Sequence, residues 1–311
     1  MKEKIALTDH VERFVAMKRK LGYRFTRSSW WPLLSFARFA EDCGETFIRS
    51  ATAVEWSLTA GSQPLRVENL HRVHGFACWL HAEDPRHDIP PRDALGHRSN
   101  HRSRPYLISV PDIRQLLTAT LAMQPADTIA PLTWHYLFGL IAVTGLRIGE
   151  ALRLTLDDIT ADGLIIRDTK FGKSRMVALH PTARDALDRY LTVRRKEKTP
   201  DAHLFVITTG GPPSIGWAEK AFRRLAEQTG IRKPGVSRGP TPHSLRHSFA
   251  VRSLTNLSSE TEPSRHMLAL ATYLGHADDA SSYWYLESTP ALLRGIAEAA
   301  EQAHTNGGTD D

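Results

Sequence analysis

The chain has 311 residues, 41% of them hydrophobic and 24% charged, with a formal net charge of +6 at pH 7; this is material for two modest globular domains and excludes a disordered chain. No apolar run approaches the ~18 residues of a membrane span and the first residues lack a secretory-signal core, so no membrane partner and a cytoplasmic location, at the nucleoid, are expected. Cys43 and Cys78 are the two cysteines, with no C-x-x-C pair and no metal-ligand spacing, so neither a disulfide framework nor a zinc site is indicated and two buried thiols are expected.

The first third reads as helical. Val11, Phe14 and Val15 with Met17 to Leu21 form one apolar face, Trp30, Trp31, Leu33, Leu34, Phe36, Ala37, Phe39 and Ala40 a denser one, and Val67, Leu70, Val73, Phe76 and Leu80 a third. Each has the spacing of a helix with one side in a core. Between the first two lie Lys18, Arg19, Lys20, Tyr23, Arg24, Phe25 and Arg27. Basic and aromatic residues interleaved around a helix end can follow a phosphate backbone; a solvated basic surface is the plain alternative. Residues 1–104 carry 17 Lys and Arg against 12 Asp and Glu, the remainder 23 against 22, so the excess positive charge is in the first third. Residues 1–84 are read as a helical DNA-binding domain. From 85 to 105, Pro85, Pro90, Pro91 and Pro105 exclude helix while His87, Arg92, His97, Arg98, His101, Arg102 and Arg104 keep the segment polar, which predicts an extended linker.

Residues 106–302 read as a second, α+β domain, mostly helical with a small β-hairpin, followed by a polar tail at 303–311. An apolar run over 136–143 ends at Thr144-Gly145, and Leu146-Arg147-Ile148-Gly149-Glu150 opens another helix. Arg147 is thereby placed at a buried helix junction. Glu150, three positions on and on the same face, is suited to orient the guanidinium rather than to touch a substrate; an ordinary surface ion pair is the alternative. Segments 164–167 and 176–179 flank Asp168-Thr169-Lys170-Phe171-Gly172-Lys173-Ser174-Arg175, a hairpin with Gly172 in the turn. Its tip can carry a lysine, Lys170 or Lys173, to a phosphate, where an ammonium can protonate a leaving oxygen, a role worth roughly 10²- to 10⁴-fold.

Pro181 opens a helix to about residue 198, residues 204–207 read as a short strand, Ser214 caps a helix to Gln228, and 230–240 is loop. Thr241-Pro242 starts a helix that puts His243 and Arg246 on one side, with His247 turned about 100° from Arg246. Gly275 lets a helix stop and His276 follows it. Tyr283 and Tyr285 then compete as oxygen nucleophile, and Thr289-Pro290 starts a last helix. Arg147, Lys170, His243, Arg246 and His276 with a tyrosine supply charge, proton transfer and a nucleophile for cutting a phosphodiester without metal, so no cofactor is expected.

In order and spacing these motifs resemble the tyrosine recombinases, the phage-integrase family that includes the Xer-type recombinases. That family's pattern is T-G-x-R-x-x-E, a hairpin lysine, H-x-x-R, then G-H and a tyrosine nine positions on. The resemblance covers roughly residues 105–300 and fills all six positions. It implies Tyr285, nine past His276, as nucleophile. Aligned with the family's G-K-x-x-K-x-R hairpin it favours Lys170 as general acid, with Thr169 in place of the usual Gly, and leaves Lys173 and Arg175 to join Lys18, Arg19, Lys20, Arg24 and Arg27 as DNA contacts. It further implies a two-domain, C-shaped clamp on a double-stranded recombination site, a homo- or hetero-tetramer on DNA, and a 3′-phosphotyrosyl intermediate formed without metal or ATP. The phrases at 167–175 and 282–286 look like transposon-borne recombinases, some encoded in threes, which would make related recombinases its partners. Two other readings use the same residues. A type IB topoisomerase would relax supercoiled DNA that lacks any recombination site; a non-catalytic architectural protein would bind DNA without a covalent adduct. The linker, the helical first domain and the final helix favour the recombinase.

Overall fold

In the computed structural model, the described residues are 5–23, 25–96, 105–167, 174–236, 238–255 and 263–275. The chain divides into two units, Met1–Arg102 and Ser103–Asp311. Among the described residues no helix is long and apolar enough to cross a membrane.

The first unit is built from α1 (Leu7–Lys20), α2 (Arg27–Asp42), α3 (Ser50–Leu58) and α4 (Gln63–Glu83). The apolar stripes read from the sequence turn inward, and Val11, Phe14, Leu33, Phe36, Trp56, Leu70, Val73, Phe76 and Leu80 share one core. Each large aliphatic or aromatic side chain so buried contributes roughly 1.5–3 kcal/mol. Leu21, read as part of the first stripe, and Trp31, read as part of the second, instead stay 65% and 44% exposed. Both cysteines are exposed rather than buried. Cys43 is the residue that caps α2, beyond its apolar face, and Cys78 lies on the outer side of α4 beside His74.

Residues 85–96 are not an extended linker. They fold back on this unit: His87 is 2% exposed, the Asp88 N–H donates to the Ile48 carbonyl at 2.9 Å, and the Ile48 N–H donates to His87 Nδ1 at 3.1 Å. Helix α4 supplies a row of histidines whose ring N–H groups donate to this segment, His81 to the carbonyl of His87, His74 to that of Pro90 and His71 to that of Arg92. Proline does exclude helix here, but backbone carbonyls that gain donors can pack as well as those of a helix.

The second unit contains α5 (Val110–Leu121), α6 (Ala130–Thr144), α7 (Ile148–Arg153), a 3₁₀ turn (Leu156–Asp158), β1 (Leu164–Ile166), β2 (Arg175–Val177), α8 (Pro181–Arg194), α9 (Ile215–Gln228), α10 (Pro242–Thr255) and α11 (Pro263–Leu274). Helix α6 is apolar nearly all round, with Trp134, Leu137, Phe138, Leu140 and Ile141 buried, because α5, α8 and α10 pack around it. The two strands pair antiparallel with Leu164 opposite Val177 and Ile166 opposite Arg175. Gly163 precedes β1 with φ 148°, and a Cβ there would run into the Val177 carbonyl oxygen, so the hairpin base admits only glycine. The fold is the expected mostly helical one with a small β-hairpin.

Local details differ from the sequence reading. Helix α8 stops at Arg194, whose buried guanidinium donates to the carbonyls of Asp201 and His203. Residues 204–207 are fully buried but form no strand; beyond the isolated bridge of His203 with Thr155, the Leu204 N–H donates to the Leu154 carbonyl at 2.7 Å. The neighbouring chain turns into the 3₁₀ helix after Thr155, so the ladder has nothing to extend along. Ser214 caps α9 as expected, its Oγ accepting from the Trp217 N–H. The tip of the hairpin and the final helix lie outside the described residues.

Candidate active site

Three structural elements that end at one place build the site: the α6–α7 junction, the start of α10 and the C-terminus of α11. Gly145 caps α6 in the left-handed conformation (φ 65°), and a Cβ on it would stand 2.5 Å from Phe249 Cδ1 and 2.8 Å from Leu274 Cδ2. This close approach seats α10 and α11 directly on the junction. Arg147 is the residue preceding α7, and its backbone N–H donates to Glu150 Oε2 at 3.1 Å, the reciprocal half of a helix-start box.

The arginine side chains converge on the end of α11. Arg147 donates through Nη2 to the Gly275 carbonyl at 3.2 Å and through Nη1 to that of Leu274 at 3.5 Å. Arg246 donates through Nη1 to the Gly145 carbonyl at 2.6 Å and through Nη2 to that of Leu274 at 2.9 Å. Helix C-termini leave carbonyls without intrahelical donors and carry the negative end of the helix dipole, which is why cationic groups collect here. The two guanidiniums differ in access: the Arg147 side chain is 36% exposed, whereas Arg246 is 1% exposed.

Glu150 joins this arrangement to the hairpin. Its carboxylate, 4% exposed, accepts from Arg147 Nη1 at 2.8 Å and, in a bidentate pair, from Arg175 Nη1 at 3.1 Å and Nη2 at 2.8 Å. Burial by itself raises the carboxyl pKa, but the hydrogen bonds and charge of Arg175, then the backbone and guanidinium of Arg147, outweigh it and hold the group at about 2. Glu150 and Arg147 are thus paired, at a buried carboxylate rather than on an open surface. Arg175, expected to contact DNA, is turned inward instead: its side chain is 13% exposed, and its Nε donates to the Tyr273 carbonyl at 3.0 Å. Strand alternation was the missed signal, since Arg175 shares a strand face with Val177, which is fully buried.

His243 stands in the first turn of α10 and packs edge-on against His247, with ring centroids 4.3 Å apart. Lost hydration, then the charges of Arg246 and Arg147, lower its pKa to about 4. The residue is open to solvent on one side, and water screens part of this effect; the imidazole is neutral at pH 7. Arg147, Glu150, Arg175, Arg246 and His243 are thus brought together. Lys170, Lys173, His276, Tyr283 and Tyr285 lie outside the described residues.

In the first unit, Lys18, Arg19 and Lys20 form the last turn of α1 and Arg27 opens α2; Arg24 lies outside the described residues. Lys18 Nζ sits 4.9 Å over the Tyr23 ring, and Arg27 and Arg38 lie 4.9 and 5.9 Å from the centre of exposed Trp31. The patch is basic and aromatic together. Lysines and arginine in the last turn of α1 also complement its dipole.

Comparison with known proteins supplies the family. The model of the phage integrase family matches residues 110–291. An integrase/recombinase of Sinorhizobium fredii, y4rB, is 37% identical over 91% of this chain and 93% of its own length. The tyrosine recombinase XerD of Mycobacterium tuberculosis is 29% identical over 79% of this chain and 75% of its own. Among solved structures, XerH recombinase bound to a difH substrate superimposes with a TM-score of 0.66 at 18% identity, covering 94% of this chain and 85% of that one. The Tn1549 transposon integrase in complex with transposon right end DNA does so at 0.65 and 16%, covering 94% and 100%. With a family match over more than half its length and a relative so similar from end to end, the chain belongs to the phage integrase family, the tyrosine site-specific recombinases.

Proposed function

We propose that this recombinase cuts and rejoins duplex DNA through a covalent 3′-phosphotyrosyl intermediate. The observation that carries the reading is the convergence of Arg147 and Arg246 on the end of α11 beside a neutral His243. Tyr285 Oη attacks the scissile phosphorus as its proton passes to His243 Nε2 or Nδ1; the P–O5′ bond breaks, and Lys170 gives a proton to the leaving 5′ oxygen. Arg147 and Arg246 neutralise the two non-bridging oxygens, where charge grows in the transition state, so two guanidiniums supply what a metal supplies elsewhere. Arg147 is the more exposed of the two. His276 adds a hydrogen bond to phosphate or nucleophile. The bond energy is retained in the phosphotyrosine, so rejoining to a new 5′-hydroxyl needs no ATP.

The remaining roles follow from the same reading. Lys18, Arg19, Lys20, Arg24 and Arg27 of the first unit, with Lys173 of the second, contact the phosphate backbone of a double-stranded recombination site. The chain works as a homo- or hetero-tetramer on DNA, with related recombinases as its companions. A solved structure of lambda integrase is a tetramer bound to a Holliday junction, a likeness in fold that supports this assembly.

The test is trapping on a nicked suicide duplex made from DNA flanking its own gene, resolved on a denaturing gel. A protein–DNA adduct formed by the wild type and by Tyr283→Phe, and lost in Tyr285→Phe, is the expected result. Loss in Tyr283→Phe alone would move the nucleophile by two positions, and no adduct from any protein that binds the duplex would sink the covalent mechanism.

A further inference from the structure

We propose that Arg175 is a positioning residue for cleavage: through Glu150 it holds Arg147 where the scissile phosphate must lie, and through Tyr273 and Gly275 it ties the hairpin to the end of α11. The inference rests on the mechanism proposed above and assigns a role to a residue whose sequence context suggests a DNA contact.

A guanidinium has five N–H donors in a plane. Arg175 spends one from each nitrogen inside the protein, Nη1 and Nη2 on Glu150 and Nε on the Tyr273 carbonyl. Its plane also rests on Gly275: a Cβ there would lie 2.9 Å from Arg175 Nη1 and 3.1 Å from Cζ. Gly275 is thus fixed twice over, by its φ of 66° and by the guanidinium lying on it. Tyr273 returns the contact, its hydroxyl donating to the Ala178 carbonyl just past β2 at 3.4 Å.

Glu150 Oε1 is shared, accepting from Arg147 Nη1 on one side and Arg175 Nη1 on the other. One buried carboxylate therefore holds two cations near each other. Take Arg175 away, and Glu150 keeps only Arg147, whose guanidinium is then free to follow a carboxylate that no longer has a fixed direction. The strand that leads out of the hairpin would lose its anchor on α11 at the same time. Lysine is a poor substitute, because a single ammonium cannot reproduce the bidentate pair and the Tyr273 bond together.

The experiment uses the full chain on two nicked suicide duplexes, one ordinary and one with a methylphosphonate at the scissile position. The methyl group replaces a non-bridging oxygen and removes the negative charge that Arg147 neutralises. Arg175→Ala is expected to bind DNA within about threefold of wild type with an unchanged salt dependence. It should form the adduct about 10- to 100-fold more slowly on the phosphodiester, somewhat less than the loss of a direct oxyanion donor. On the methylphosphonate the gap to wild type should shrink to a few-fold, and Arg175→Lys should fall between the two on the phosphodiester. A weaker affinity with a salt slope reduced by about one would make Arg175 a phosphate contact and overturn the proposal. Equal slowing on both duplexes would make it a merely structural residue, and cleavage at the wild-type rate would leave it no role. Because Arg175→Lys keeps the charge and most of the bulk, its rates decide the matter if Arg175→Ala fails to fold. No adduct from wild type on either duplex would instead overturn the phosphotyrosyl mechanism itself.

Discussion

Replacing Glu150 with Gln removes one charge from the most heavily bonded carboxylate at the site, and the cost can be worked from its surroundings. The side chain is 4% exposed and holds its pKa at about 2 against an ordinary value of 4.5. Because the folded value is depressed, the ionised group stabilises the fold by roughly 3 kcal/mol at neutral pH. That agrees in size with the ~3–5 kcal/mol typical of breaking a buried ion pair from one side. The stabilisation is complete above pH 4.5 and is lost as pH falls from there through 2. Glu150→Gln never carries the charge, so its deficit of about 3 kcal/mol at pH 7 should narrow by a little over ~1 kcal/mol at pH 3.5. Amide exchange of the buried α6 backbone, followed by mass spectrometry, reads the second unit without interference from the first. A deficit below about 1 kcal/mol at pH 7, or one that stays constant down to pH 3.5, would refute the claim that ionised Glu150 holds Arg147 and Arg175.

Gly145→Ala forces a left-handed residue to carry a Cβ into Phe249 and Leu274; backbone strain and overpacking together should cost about 2–5 kcal/mol and abolish adduct formation, read by thermal unfolding and suicide-duplex trapping. Protonated His243 cannot accept the tyrosine proton, so cleavage should fall as pH drops. With its pKa lowered by lost hydration and by Arg246 and Arg147, the acid limb of single-turnover cleavage under subsaturating protein should have its midpoint below 6.5; a midpoint above it counts against His243 as proton acceptor. In the first unit, His87 accepts the Ile48 N–H and so must stay neutral, and burial, then the neighbouring His10, lower its pKa. Stability of that unit should therefore fall as pH drops below 6.5, the unfolded chain binding the proton first, and His87→Asn should flatten the dependence; amide exchange of α3 and α4 at pH 7 and 5 checks it.

What the sequence determined by itself is local. The Thr144-Gly145 stop, the Arg147–Glu150 helix start, the Pro242 entry that puts His243 and Arg246 one turn apart and the apolar stripes of α1, α2 and α4 all act within a few residues, through backbone conformation and helical periodicity, and all appear in the structure. The partners that lie far apart along the chain were decided by tertiary packing. Arg246 finds its carbonyl partners at Gly145 and Leu274, 101 and 28 positions away, and Arg175 finds Glu150 and Tyr273 at 25 and 98. No periodicity records such pairings, because a guanidinium suits a phosphate, a carboxylate or a helix end equally well until the fold chooses. The same reason explains the segment at 85–96, where proline and histidine forbid a helix but say nothing of the α4 histidines that take up its carbonyls. Composition states which bonds a chain is able to make; only the folded core, by bringing distant elements to one end of α11, states which of them are made.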